Sequence, residues 1–122
     1  PSETESGFNI RTYQHHDGMI VYDAVMQMYV GKRNNEVAII DSNFKKIDKL
    51  DLTQSFTAQQ ASDILSKEGH KPVTPGEVMI FVSQGQGVAA FRFEYNKDGK
   101  PYESLVSTKS GKILFTRPLF IN

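Results

Sequence analysis

The sequence predicts an α+β fold, with antiparallel β-meanders and one helix packed on the second of them. Three observations predict it. Apolar residues alternate at period two through most of the chain, as they do in half-buried strands. One stretch, beginning near residue 58, changes to helical spacing behind a capping box. Clusters of Gly, Asn, Asp and Ser separate the apolar runs and read as tight turns.

The elements follow in order. Residues 1–7 carry no apolar side chain and read as a flexible linker or a processed end, with no signal peptide. From Phe8 the pattern is extended: Phe8, Ile10 and Thr12 alternate with Asn9, Arg11 and Tyr13. His15-His16-Asp17-Gly18 reads as a turn, because Asp-Gly accepts positive φ. Met19 to Val30 is predicted as a long strand, with Ile20, Tyr22, Ala24, Met26, Met28 and Val30 on one face and Asp23 and Gln27 on the other. Residues 31–35 make the next turn, and Glu36 to Asp41 returns as a short strand. Residues 42–56 mix charged and apolar side chains and read as an irregular connection covering a sheet edge.

Thr57-Ala58-Gln59-Gln60 is a capping box behind Phe56, and Ala58, Ala61, Ile64 and Leu65 form an apolar stripe. Gly69 suits the left-handed residue after a helix and Pro72 stops continuation, so the helix is placed over 58–68. Four strands follow: Glu77 to Ser83, Val88 to Tyr95, Tyr102 to Ser107 and Ile113 to Phe115. Turns at 84–87, 96–100 and 109–112 join them. Ala89, Phe91, Phe93 and Tyr95 share one face and should meet the helix stripe, since neither layer is stable alone. The organisation is therefore a linker over 1–7, a β-meander over 8–55, a helix with four strands over 56–116, and a tail over 117–122.

Composition narrows the function classes. The chain has 122 residues, 39% hydrophobic and 23% charged, which suits a globular domain rather than a disordered one. Lys plus Arg and Asp plus Glu are 14 each. That balance argues against nucleic acid, whose phosphates call for a basic excess. No cysteine is present, which excludes disulfides, thiolate metal sites and a Cys nucleophile. No window approaches the roughly 18 apolar residues of a membrane span.

Candidate chemistry is sparse. His15 and His16 are adjacent and point to opposite faces of an extended chain, and His70 lies far away in sequence, so no metal site is predicted. Ser83 lacks a nucleophile-elbow context. Gly85 and Gly87 join strand to strand, where a phosphate cradle would lead into a helix. The aromatic residues of the 88–95 strand read as core rather than as a stacking platform. Asp48 and Asp51 are a possible carboxylate pair, set among lysines. The reading is non-enzymatic, with no cofactor.

One stretch carries a family resemblance. Arg11-Thr12-Tyr13-Gln14-His15-His16-Asp17-Gly18-Met19-Ile20-Val21-Tyr22-Asp23-Ala24 resembles the fungalysin/thermolysin propeptide (FTP) motif. That motif runs Arg, two residues, Gln, three residues, Gly, two residues, Val, aromatic, one residue, Ala. Arg11, Gln14, Gly18, Val21, Tyr22 and Ala24 occupy its positions; Asp23 stands where the family often has Gly. The second half resembles the PepSY domain, whose sheet is cystatin-like. Its helix start resembles Thr57-Ala58-Gln59-Gln60-Ala61 and its central strand Ala90-Phe91-Arg92-Phe93-Glu94-Tyr95. Leu105-Val106-Ser107-Thr108-Lys109-Ser110-Gly111-Lys112-Ile113-Leu114 resembles its ending, with Ser107 and Thr108 in place of Asp-Ala and Gly111 kept at the turn.

The resemblance implies a pro-region: a non-catalytic segment that inhibits a secreted thermolysin-like zinc metallopeptidase and assists its folding. The implied partner is the peptidase catalytic domain, in cis or in trans, and the implied location is secreted or periplasmic. The alternative is a free-standing extracytoplasmic protein-binding module or inhibitor. An extended tail can add to a partner's surface, so Arg117, Leu119, Phe120 and Ile121 are the candidate partner-binding residues; the alternative is that Leu119, Phe120 and Ile121 fold back and close the core.

Overall fold

The structure is a computed structural model and describes residues 2–3, 7–32 and 36–121. Part of the linker expected over 1–7 and the centre of the turn expected over 31–35 lie outside these residues. The chain divides into two compact units, Pro1–Lys46 and Ile47–Asn122.

Among its described residues the first unit has strands as its only regular elements. β1 (Ser2–Glu3) pairs with β2 (Gly7–His16), β2 with β3 (Met19–Gly31), and β3 with β4 (Val37–Ser42), all antiparallel. The β2–β3 turn has Asp17 at φ 49° and Gly18 at φ 81°. Two consecutive left-handed residues make the turn whose twist suits adjoining strands, and Asp-Gly supplies them at low cost. Midway along β3 the regular alternation breaks. Tyr13 pairs with Val25 and His15 with Ile20, so Gln14 alone stands against Val21, Tyr22, Asp23 and Ala24. Asp23 takes φ 54° within this bulge. Val21, Tyr22 and Ala24 are all buried. Strict alternation put Val21 on the face opposite Tyr22 and Ala24; the bulge turns three side chains inward.

The second unit holds a short strand, the helix and four longer strands. β5 (Lys49–Asp51) comes first, then α1 (Ala58–Lys67), β6 (Glu77–Ser83), β7 (Gln86–Lys97), β8 (Lys100–Ser107) and β9 (Ile113–Pro118). β6, β7, β8 and β9 pair in order and antiparallel. The helix starts as its sequence requires. Thr57 Oγ1 accepts from the Gln60 amide at 3.1 Å, and Gln60 Oε1 accepts from the Thr57 amide at 2.8 Å. It ends where Gly69 turns left-handed, with the Gly69 amide donating to Ser66 and the His70 amide to Leu65. The apolar stripe then meets β7 and β8: Ala61 and Leu65 pack with Phe91, Phe93 and Val106, flanked by Phe56, Ala58 and Val78.

The expected fold class needs correction. Of the described residues 59% are strand and 9% helix, so the protein is mostly β rather than α+β with a PepSY-like sheet. It is not purely antiparallel either. β5, expected to be irregular connection, pairs with Gln86–Val88 of β7 in parallel. The physical reason is local. β8 pairs with β7 only from Ala90 onward, which leaves the backbone of residues 86–88 open on that side. The 47–51 segment satisfies those groups, and Gly85 O accepts from the amides of both Asp48 and Lys49.

Candidate functional site

The six residues of the Arg11–Ala24 motif all fall on the β2–β3 hairpin. Gln14, unmatched across the bulge, uses its side chain instead. Its Nε2 donates to the Lys45 carbonyl at 2.9 Å and its Oε1 accepts from the Lys45 amide at 2.7 Å. A primary amide offers a donor and an acceptor side by side, so it can mimic one rung of a β-ladder. Two residues earlier the same segment is fixed again. The Val25 amide donates to Asn43 Oδ1 at 2.6 Å, and the Asn43 amide donates to the Val25 carbonyl at 3.0 Å. Gly18 forms the turn; Val21, Tyr22 and Ala24 lie in the bulged stretch and are buried. Arg11 is exposed and lines a shallow concavity of about 290 Å³ with Val25, Gln27, Asp41 and Asn43.

Gly111, the remaining residue expected to be structural, is held by two constraints. Its φ is 73°, and a Cβ there would lie 2.9 Å from the Phe56 ring and 3.0 Å from Ile64. No other residue meets both conditions.

The tail residues take different positions. Arg117 lies within β9, which runs on through Pro118, and its Nε donates to Glu103 Oε2 at 2.5 Å. The Leu119 amide donates to the Pro101 carbonyl at 2.9 Å. Phe120 meets Tyr102 edge-on with ring centroids 5.4 Å apart, and the Lys100 ammonium lies 4.8 Å from its ring centre. Leu119 and Phe120 are half-buried, whereas Ile121 is fully exposed. Of the four, Ile121 is the most exposed.

The other candidate groups stay apart. His15 Nδ1 donates to the Tyr13 carbonyl at 2.9 Å, His16 lies 3.4 Å from Asp17, and His70 stacks on Tyr95 with centroids 4.6 Å apart. Among the described residues no three His, Asp or Glu side chains gather where they could hold a metal ion. Asp51 binds Lys109 Nζ at 2.8 Å and accepts from the Thr53 hydroxyl at 2.6 Å. The bond from Lys109, followed by those from Thr53, holds the Asp51 carboxyl well below the usual carboxylate range. Asp51 therefore fastens β5 to the β8–β9 turn and does not pair with Asp48. Gln84 and Gly85, at φ 52° and 79°, form a second hairpin turn of the Asp17-Gly18 kind.

One cluster was not singled out from the sequence. Glu103 is 1% exposed, yet it is a carboxylate. Its Oε1 accepts from Arg92 Nε at 2.6 Å, while Arg117 binds the other oxygen. Arg92 also bonds Glu94 at 3.2 Å. The network joins β7, β8 and β9 on the sheet face opposite the helix. Alternation along 102–107 puts Glu103 away from the helix face, but the two arginines come from other strands, so nothing adjacent in sequence announces the burial.

The chain matches no protein-family model and no curated protein. Among solved structures it is similar to a candidate lipoprotein from Clostridium difficile, at 20% identity and a TM-score of 0.37, over 92% of this chain and 81% of that one. Among the described residues no helix is long and apolar enough to cross a membrane.

Proposed function

We propose that this chain is a non-catalytic pro-region module that binds and inhibits a secreted thermolysin-like zinc metallopeptidase and assists its folding. The observation that carries this reading is at position 23. The FTP motif often has Gly where this chain has Asp23, and Asp23 adopts the left-handed conformation, φ 54°, that Gly serves best. The residue type that departs from the motif thus still meets the motif's backbone demand, since Asp is among the few residues that tolerate it. Gln14, Gly18, Val21, Tyr22 and Ala24 have architectural duties in the same bulged hairpin, which supports a shared hairpin rather than a chance spacing. The surface offered to the peptidase is the end of the tail, where Phe120 and Ile121 present apolar side chains beyond the last strand. Such a module acts outside the cytoplasm, in the compartment of its peptidase.

The test is inhibition. The whole chain, added to a panel of thermolysin-like peptidases, is expected to inhibit at least one at about micromolar concentration. Ile121→Asp is expected to weaken that inhibition about tenfold, with the circular dichroism spectrum unchanged. No inhibition across the panel, together with no gain in refolding yield of any denatured member, would overturn the proposal.

A further inference from the structure

The junction of the two units carries a feature that the proposed function does not use. The boundary falls between Lys46 and Ile47, directly after a pair of lysines. Residues 43–47 form no helix or strand, and Phe44 and Lys46 are exposed. The chain is pinned on either side of this bond. Before it, the Gln14 side chain holds both backbone groups of Lys45, at 2.9 and 2.7 Å. After it, the amides of Asp48 and Lys49 donate to the Gly85 carbonyl at 2.7 and 3.1 Å. Only Lys46 and Ile47 lie between the two anchors.

We infer that the Lys46–Ile47 bond is a cleavage site for a trypsin-like serine peptidase, and that the Gln14–Lys45 clamp sets how fast it is cut. Such a peptidase carries a carboxylate in the pocket that receives the residue before the bond, and so takes Lys or Arg. Hydrolysis adds one water across the amide: the Lys46 carbonyl carbon gains the oxygen and becomes a carboxylate, and the Ile47 nitrogen leaves as an amine. A peptidase cleft takes up extended chain on both sides of the bond, so Lys45 must leave the Gln14 amide first. Cutting then follows the population of the locally opened segment. The clamp is a pair of hydrogen bonds, so opening it costs less than unzipping a strand or a helix. The other basic positions are less suited. Lys71, Lys100 and Arg117 each precede a proline, whose ring fixes the backbone and removes the amide hydrogen. The Gly31 amide donates to the Glu36 carbonyl at 2.8 Å and closes the β3–β4 connection, so the short stretch of sequence between them, with Lys32 and Arg33, reaches a cleft only if those strands unzip. The rest lie in strands, in the helix or at the β8–β9 turn. The inference does not depend on the proposed pro-region role, since the peptidase here cuts the chain rather than being inhibited by it.

Limited digestion of the whole folded chain with trypsin, read by mass spectrometry, tests it. The first products expected are residues 1–46 and 47–122. Replacing both lysines, Lys45→Gln with Lys46→Gln, is expected to delay the first cut about tenfold and to move it elsewhere. Gln14→Leu is expected to speed the cut after Lys46 about tenfold, and cuts elsewhere by less, which separates local opening from general unfolding. A parent chain cut first at any other place would overturn the inference. So would a double variant whose first cut comes as soon as the parent's, or a Gln14→Leu chain in which all cuts speed up alike or none does.

Discussion

At Gln14 a side-chain amide stands in for a strand. The bulge removes its cross-strand neighbour, and the amide closes a two-bond ring with the backbone of Lys45 instead. The site is half-buried, so the Lys45 groups would not be fully rehydrated without it. Gln14→Leu keeps the bulk of the side chain and removes both bonds. It is expected to lower the unfolding free energy by about 1–3 kcal/mol, read as a shift of the urea midpoint with an unchanged slope. The motif spacing marked Gln14, but its partner lies 31 residues away, and a side-chain bond to backbone leaves no mark on the partner's residue type. Local devices were legible for the opposite reason. Thr57 and Gln60 bond within one helical turn, and Asp17-Gly18 forms a turn by itself, so residue type and partner appear in the same short stretch. Asp23 shows the limit of alternation: its polar side chain fits an exposed position on a regular strand equally well, and only the backbone reveals the bulge.

Strand β9 is fastened to its sheet by more than its ladder. Glu103 sits below it on β8, almost wholly buried, with Arg92 on one oxygen and Arg117 on the other. A carboxylate removed from water is tolerated only when its lone pairs are matched by charged donors, as here. Glu103→Ala leaves two guanidinium groups without that carboxylate and opens a void under the β8–β9 pair. It is expected to cost about 3 kcal/mol, tempered by the partial exposure of both arginines. The loss should localise: hydrogen exchange of the β9 amides should accelerate more than that of α1, because the helix packs on the other face. Equal acceleration in both would mean that Glu103 supports the unit as a whole. This network also explains why the tail expected from 117 onward begins later. Arg117 is held as part of the strand, and Leu119 and Phe120 are drawn back onto Pro101 and Tyr102. Strand β5 escaped the sequence reading because three residues are too few to show a period, and its pairing is decided by an open stretch of β7 far along the chain.

Over the whole molecule, the helix and seven of the strands were legible in their order, whereas β1, β5 and the balance between strand and helix were not. Alternation marks a strand's apolar middle, but polar ends such as Lys100 and Pro101, or Thr116 to Pro118, join the ladder through backbone groups that any residue carries except for proline's missing donor. Strands therefore run longer than their patterns, and the protein is mostly β. The two units also differ in how they can bury apolar surface. Ile47–Asn122 has two layers, with Ala61 and Leu65 of the helix closing over Phe91, Phe93 and Val106. Among its described residues Pro1–Lys46 has strands and no helix, and a single sheet has no second layer of its own to cover its apolar face, where Ile10, Met26 and Met28 remain partly exposed. Independent stability should follow the layers. A fragment of residues 47–122 is expected to unfold cooperatively in urea and to give a dispersed amide NMR spectrum, because its core is complete. A fragment of residues 1–46 is expected to show neither, despite the clamp between Gln14 and Lys45, since two hydrogen bonds do not offset the conformational entropy of ordering four strands. If the shorter fragment folds cooperatively and the longer one does not, stability in this protein resides in the bulged hairpin, and the helix-covered sheet depends on it.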